Sequence, residues 1–308
     1  MVTLARRAMG TRFELVLYGA REAFLRAAGE EALEEIERLE AQLSLYRPES
    51  DVSDLNRRAA FAPVPVDPRL FALLAHAKRL SEETEGAFDI TVAPLMRCWG
   101  FVGGSGQMPS PEAIAEARAR VGMQHVRLDA EHFTVRFDRE GVMLDFGAIG
   151  KGYAIERAVD LLRENGVTSA LLHGGTSTVY GLGVPPDADA WTVAIQRPFD
   201  TEEGHYLTQV KLRDAALSVS APHGKWFQSG GRRYGHVIDP RTGYPASRSL
   251  LAALVCESAT DSDALSTALL TLGEPFLPAL CARPGTQGAL LAIEEESGEM
   301  HVLSQGLG

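Results

Sequence analysis

From Val126 onward the chain strings short strand-like runs together with few helices between them, and this limits its fold more than any other feature. Val126–Leu128, Phe133–Phe137 and Val142–Phe146 follow one another across turns containing Asp129, Asp138 and Gly141, which predicts a meander. Ala170–Leu172, Trp191–Ile195, Tyr206–Leu212 and Leu217–Ser220 come later, with one helical pattern ahead of them. Parallel neighbours need a crossover of a dozen or more residues, usually a helix. Too few crossovers exist for a doubly wound sheet, so the pattern predicts an α+β fold, mostly antiparallel sheet with packed helices. No repeat, low-complexity linker or composition break divides the sequence. Residues 1–308 therefore read as a single domain, with length enough for two subdomains.

Helical spacing and turn chemistry organise the rest. Thr11–Tyr18 reads as a strand, and Arg21–Leu45 as a long helix with Leu33, Ile36, Leu39 and Leu43 on one face. Leu43–Asn56 (LSLYRPESDVSDLN) reads as a loop held by local side-chain caps. Asp67-Pro68 opens a helix as N-cap and first residue, and Gly86 closes it. Gly86–Phe101 mixes a strand-like run with Pro94 and bulky aromatics, and Ser110-Pro111 starts a helix that stops near Gly122. A turn-rich basic stretch, HGKWFQSGGRRYGHVIDPRTGYP, precedes a strand at Leu250–Val255 and a helix at Asp261–Leu272, stopped by Gly273. A further helix and a final strand pair complete the chain.

Hydrophobic content of 45% and charged content of 23% are those of a globular protein. A formal net charge of -11 argues against a general nucleic-acid binder, which needs clustered Lys and Arg. Cys98, Cys256 and Cys281 are widely spaced and form no metal or disulfide pattern, so a reducing compartment is expected. No signal-peptide pattern opens the chain and no run approaches a membrane span. The expectation is a cytoplasmic protein, although a chain trimmed of an export signal reads the same.

The first chemical signal is Val142–Gly152, VMLDFGAIGKG, followed by an amphipathic helix. A strand, a turn with Gly147, Gly150 and Gly152, and a helix can bring N–H groups up to an anion. Asp145 and Lys151 flank the turn. It is not a P-loop: a Gly is needed where Asp145 stands and a Ser or Thr where Gly152 stands. In TDSDALSTALLTLG, Asp263 and Thr267 sit four apart and share a helix face, giving two hard oxygen ligands suited to Mg²⁺. The competing reading is a helix N-terminus, which also favours Thr260, Asp261 and Asp263. His236 and Asp239 stand in RRYGHVIDPRTGYP, where the Asp reads as a turn former and the His as a general base or a packed ring. Ser220 and His223 lack a third member and make no nucleophile motif.

Together the motifs resemble the FAD:protein FMN transferase (ApbE) family. The resemblance runs from Met9 to about Gly273 and rests on MGT at Met9–Thr11, Leu43–Asn56, GAFDITVAP at Gly86–Pro94, LDFGAIGKGYA at Leu144–Ala154, HVIDPRTGYP at His236–Pro245 and DALSTAL at Asp263–Leu269. It implies an ApbE-like, T-fold-related architecture and a Mg²⁺-dependent enzyme. Such an enzyme moves the FMN half of FAD onto a Thr or Ser hydroxyl of an acceptor protein and releases AMP. Met9, Tyr46, Ala87, Phe88, Asp89, Asp145, Lys151 and Val237 would contact the flavin nucleotide. Asp263, Thr267 and the carbonyl of Ala148 would hold the metal, with His236 and Lys151 serving the reaction. The chain departs from the family pattern at Leu172–Gly175, where Leu172-His173-Gly174-Gly175 stands in place of an Asn-x-Gly-Gly pattern, and at Ser218–Phe227. An FAD pyrophosphatase and a non-catalytic FAD-binding protein are the alternative readings.

Overall fold

The hairpin at the N-terminus, β1 (Val2–Ala8) and β2 (Thr11–Leu17), turns through Met9 and Gly10, both with positive φ (49° and 71°). Such a two-residue turn matches the right-handed twist of its strands. The computed structural model describes residues 1–198, 205–295 and 297–307, and the side chain of His223 lies outside the described set. After the hairpin come α1 (Glu22–Leu43), α2 (Asp51–Arg58), β3 (Val64–Pro65), α3 (Pro68–Glu83), α4 (Ala93–Cys98) and α5 (Pro111–Arg118). Next are β4 (Val126–Asp129), β5 (Thr134–Phe137), α6 (Gly150–Glu164), β6 (Ala170–Gly174), β7 (Thr178–Leu182), β8 (Trp191–Gln196), β9 (Tyr206–Leu212) and β10 (Ala215–Ser220). The rest is β11 (Trp226–Ser229), β12 (Arg232–Gly235), β13 (Ser249–Cys256), α7 (Ala259–Leu272), α8 (Leu277–Cys281), β14 (Thr286–Glu294) and β15 (Met300–Gln305).

The chain divides into two compact units. The first comprises Met1–Glu40, Ile149–Ala221 and Arg248–Gly308, the second Ala41–Ala148 and Pro222–Ser247. The first unit is built on an eight-stranded sheet in the order β1-β2-β6-β7-β10-β13-β14-β15, antiparallel at every pairing. Phe13, Leu15 and Leu17 of β2 bury against Leu33 and Ile36 of α1 and Ile155 and Leu162 of α6. Each such leucine contributes about 1.5–3 kcal/mol on burial. Leu217, Leu251 and Leu290 face the other way, under Trp191, Ile195, Val210 and Leu212 of the separate β8–β9 hairpin. Strands covered on both faces lose the apolar–polar alternation, which is why β7 and β13 are buried almost throughout. Among the described residues, no helix is long and apolar enough to cross a membrane.

The second unit carries a three-stranded sheet (β3-β5-β4), the β11–β12 ribbon and a core of Leu95, Trp99, Phe101, Ile114 and Ile238. Here the sequence expectations need correction. Leu43–Asn56 is not all loop: Ser50 caps α2 by accepting from the Ser53 N–H at 3.0 Å, and Val52 and Leu55 supply its buried face. Val142–Phe146 alternates buried and half-buried residues but joins no ladder. The Asn56 side chain stands in for a strand partner, donating to the Leu144 carbonyl at 3.0 Å and accepting its N–H at 2.7 Å. The strand-like ITVA run breaks at Thr91, held by Asp89, and continues as α4 with Pro94 in its first turn. Hairpin β11–β12 lies inside the basic stretch read as turns, and closes through Gly230 and Gly231, both at positive φ.

Candidate functional site

In the first unit, α6 begins without a side-chain cap of its own. The carboxylate of Asp263, on α7, supplies one: its Oδ2 accepts the Gly152 N–H at 2.9 Å. The service is returned, because Glu156 of α6 accepts the Thr260 N–H (2.8 Å) and the Ser258 hydroxyl (2.7 Å) at the start of α7. Carboxylates complement the positive end of each helix. The helices meet so closely that a Cβ on Gly152 would stand 2.2 Å from the Ala259 carbonyl oxygen and 2.6 Å from the Asp263 Cβ. Residue 152 must therefore be glycine for this pairing.

Asp263 is only 5% exposed. Its other oxygen takes the Thr178 hydroxyl at a long 3.4 Å, and among the described residues no Lys, Arg or His pairs with it. Hydroxyls line the surroundings. Ser218 donates to Thr178 (3.1 Å), while Ser220 lies 2.9 Å from the Ser266 hydroxyl and 3.0 Å from that of Thr267. Thr267 in turn donates to the Asp263 carbonyl at 3.3 Å. A buried carboxylate without a cation is costly, so the donor set has room for one. All its donors are hard oxygens, the kind Mg²⁺ takes while keeping part of its water. Among the described residues no group of three or more His, Cys, Asp and Glu converges. The competing reading of a helix N-terminus holds for Asp261 but not for Asp263: Ser258 is the cap and Asp261 the first-turn acid, paired with Arg283 at 3.1 Å.

In the second unit, Ala87 and Phe88 are buried and Asp89 knots their loop together. Its carboxylate accepts from the Ser81 hydroxyl (3.1 Å), the Thr91 N–H and hydroxyl (2.8 and 2.6 Å) and the Met123 N–H (3.0 Å). Burial raises its pKa, and these bonds pull the other way without cancelling the rise. Asp145 folds back on its own turn, accepting the Gly147 N–H at 2.8 Å, while its own N–H donates to the Ile90 carbonyl. Tyr46 is 65% exposed, and its phenol pKa is raised by partial burial first and by the Asp145 charge second. Among the described residues no backbone N–H donates to the Ala148 carbonyl.

His236 follows directly on β12. Its backbone pairs with the Lys225 carbonyl (3.0 Å) and its Nδ1 accepts the Lys225 N–H at 3.4 Å. That contact is long, so a better donor can displace it from the Nδ1 lone pair. Asp239 is a turn former: it accepts the Arg241 N–H and both arms of its guanidinium (2.9–3.0 Å), and its carbonyl accepts the Gly243 N–H. Val237 accepts the Ala246 N–H and is half-buried.

Of the residues singled out in the sequence, Met9, Lys151, Asp263 and Thr267 belong to the first unit. Tyr46, Ala87, Phe88, Asp89, Asp145, Ala148, His236 and Val237 belong to the second. Met9 packs beside the α1–α6 core and Lys151 is the second residue of α6. His173 is half-buried, with Nε2 3.3 Å from Glu14 and Nδ1 3.2 Å from the Gly175 carbonyl. The side chain of His223 is outside the described residues. Thr178, Ser218 and Ser266 were missed by sequence reasoning, and Ser220 was weighed there only as a nucleophile. The signal for the strand residues is hydroxyls on apolar strands, with Ser218 directly opposite Thr178 in the sheet register, while Ser266 lies on α7.

The antiparallel sheet with packed helices sets the class, and solved structures superpose on the chain. An ApbE protein of Thermotoga maritima superposes with a TM-score of 0.87 at 29% identity, covering 97% of this chain and 96% of that one. The flavinyl transferase ApbE of Pseudomonas stutzeri gives 0.85 at 31% identity, covering 100% and 97%. The model of the ApbE family matches residues 9–291, and this chain belongs to that family. A relative named FAD:protein FMN transferase, from Treponema pallidum, is 34% identical over 279 residues, 86% of this chain and 77% of its own length.

Proposed function

We propose that this chain is a FAD:protein FMN transferase, acting with Mg²⁺ on FAD and on a Thr or Ser hydroxyl of an acceptor protein. The observation that carries the reading is the buried Asp263 carboxylate at the head of α6, paired with no Lys, Arg or His among the described residues and set among the hydroxyls of Thr178, Ser220 and Thr267. Family membership and the names of the relatives support it. Asp263, Thr267 and the Ala148 carbonyl would hold the ion, which supplies charge neutralisation at the pyrophosphate oxygens. Met9, Tyr46, Ala87, Phe88, Asp145, Lys151 and Val237 are the residues assigned to FAD. Asp89 serves the same loop from within, since its acceptor positions are filled by four protein donors.

The balance of the reaction is simple. The acceptor oxygen bonds to the FMN phosphorus, the pyrophosphate P–O bond breaks, and AMP leaves with that oxygen. The hydroxyl's proton goes to a base, and His236 is the residue assigned to take it, at Nδ1. An unassisted hydroxyl is a poor nucleophile, so His236→Ala should lower turnover about 10²-fold while FAD affinity stays near wild type. Incubation with FAD, Mg²⁺ and candidate acceptor proteins, read by mass, tests the whole reading. A covalent FMN adduct is expected. Metal-dependent AMP release that no acceptor alters would favour a pyrophosphatase, and FAD held intact for hours with Mg²⁺ would favour a binding protein.

A further inference from the structure

Successive residues of a strand face opposite sides of its sheet. In β10, Leu217 and Val219 pack into the apolar cluster beneath the β8–β9 hairpin. Ser218 and Ser220 face the other way, Ser218 towards Thr178 and Ser220 towards α7. Ser218 has an evident place in the site: it donates to Thr178, which donates on to Asp263 Oδ1. The place of Ser220 follows from a count of protons. Each hydroxyl has one proton to give and two lone pairs to receive. The hydroxyls of Ser220, Ser266 and Thr267 share four contacts: Ser220 with Ser266 at 2.9 Å and with Thr267 at 3.0 Å, and the Asp263 carbonyl with Ser266 at 3.0 Å and with Thr267 at 3.3 Å. Three protons cannot fill four contacts, so one goes without.

Leaving out the longest contact fixes the direction of the other three. Ser266 gives its proton to the Asp263 carbonyl, so the proton between Ser220 and Ser266 comes from Ser220. Having spent its proton there, Ser220 can only accept from Thr267. Thr267 thus turns its proton from the carbonyl of its own helix to the oxygen of Ser220. A hydroxyl that binds a cation must offer a lone pair and keep its proton away from the ion. With the proton tied to Ser220, the Thr267 oxygen meets that condition in advance. Take Ser220 away and the proton is left with the 3.3 Å carbonyl, a weak back-bond of the kind Thr makes within a helix. Outer partners that orient a ligating group in this way contribute about 10-fold or more to metal affinity.

We propose that Ser220 is a positioning residue for Mg²⁺: it takes the Thr267 proton and so presents that oxygen's lone pairs to the ion. The proposal rests on the reading in which Asp263 and Thr267 hold the metal. Its test uses two substitutions of nearly the same shape. Ser220→Thr keeps a hydroxyl, and Ser220→Val puts a methyl group in its place; both suit a strand. Mg²⁺ is titrated by calorimetry into each full-length protein at saturating FAD without acceptor, and FAD binding is measured separately without metal. Ser220→Val should bind Mg²⁺ about tenfold more weakly, and the Mg²⁺ concentration for half-maximal FMN transfer should rise by the same factor. Ser220→Ala, which adds no bulk, should match it. Ser220→Thr should stay within about threefold of wild type. Metal-free FAD affinity should be the same in all four proteins, because Ser220 acts through Thr267. Wild-type Mg²⁺ affinity in the Val and Ala variants would overturn the proposal, as would a Thr variant as weak as they are. So would transfer lowered equally at every Mg²⁺ concentration, the mark of a merely structural loss. Absence of Mg²⁺ binding in the wild type is a separate result, and it would refute the metal reading itself.

Discussion

Two aspartates are buried to nearly the same degree, one in each unit, and their surroundings could hardly differ more. Asp89 is 7% exposed and its two oxygens are filled by four protein donors. Asp263 is 5% exposed and, among the described residues, has one good donor, the Gly152 N–H, and one long one, the Thr178 hydroxyl. A carboxylate offers about four acceptor positions. Asp89 is therefore complete as a piece of architecture, while Asp263 has capacity left over in a place where unused capacity is expensive. Burial alone does not set the two acids apart; the unfilled share of their bonding does.

The largest expected effect falls on Asp263. Asp263→Ala should reduce Mg²⁺-dependent turnover about 10³-fold, and cost only about 1 kcal/mol of stability for the lost cap on α6. Equal losses in activity and stability would erase the contrast. Asp89→Ala should do the reverse. Its four donors lose their acceptor, so unfolding free energy should drop by about 3 kcal/mol, with turnover of the remaining folded protein near wild type. A fully stable Asp89→Ala protein with no activity would transfer the functional role to Asp89. Gly152→Ala sharpens the comparison from the other side, because the added Cβ forces α6 from α7. A loss of about 2 kcal/mol is expected, along with weaker Mg²⁺ dependence.

The smallest effect is one of pH. The pKa of Asp89 is raised above its ordinary 3.8 by burial, so the folded state binds that proton more tightly than the unfolded one. Stability from this group then falls as pH rises from 3.8 through the folded value, and is regained on acidification across the same window. Denaturant titrations of wild type and Asp89→Asn should show the wild type gaining relative to the variant as pH is lowered through that window. A difference independent of pH would mean the carboxylate titrates as it does in the unfolded chain.

Much of this was legible in the sequence because local chemistry decided it. Asp67-Pro68 and Ser110-Pro111 cap and start their helices, and Asp67 accepts the Arg69 N–H at 2.8 Å. The antiparallel sheet followed from strands without crossovers, and the placing of Asp263 and Thr267 one turn apart on a helix from a four-residue spacing. What escaped depends on partners far away along the chain. Leu144 is extended without being a strand because Asn56, eighty-eight residues earlier, takes both its backbone groups. The first seven-residue strand, β1, hides its alternation behind two arginines and exists by pairing with β2. The hydroxyls of Thr178, Ser218 and Ser220 look like ordinary strand residues until the sheet register and α7 place them beside Asp263 and Thr267.

The most direct test of the account follows FMN from FAD to protein in wild type, in wild type with a chelator, and in Asp263→Ala. Acceptor mass is recorded over time, with FAD binding measured in parallel. The account predicts a covalent FMN adduct and AMP from the wild type with Mg²⁺. It predicts neither from the chelated protein, and formation about 10³-fold slower from Asp263→Ala, although both should still bind FAD. Adduct forming at the wild-type rate in Asp263→Ala would contradict it.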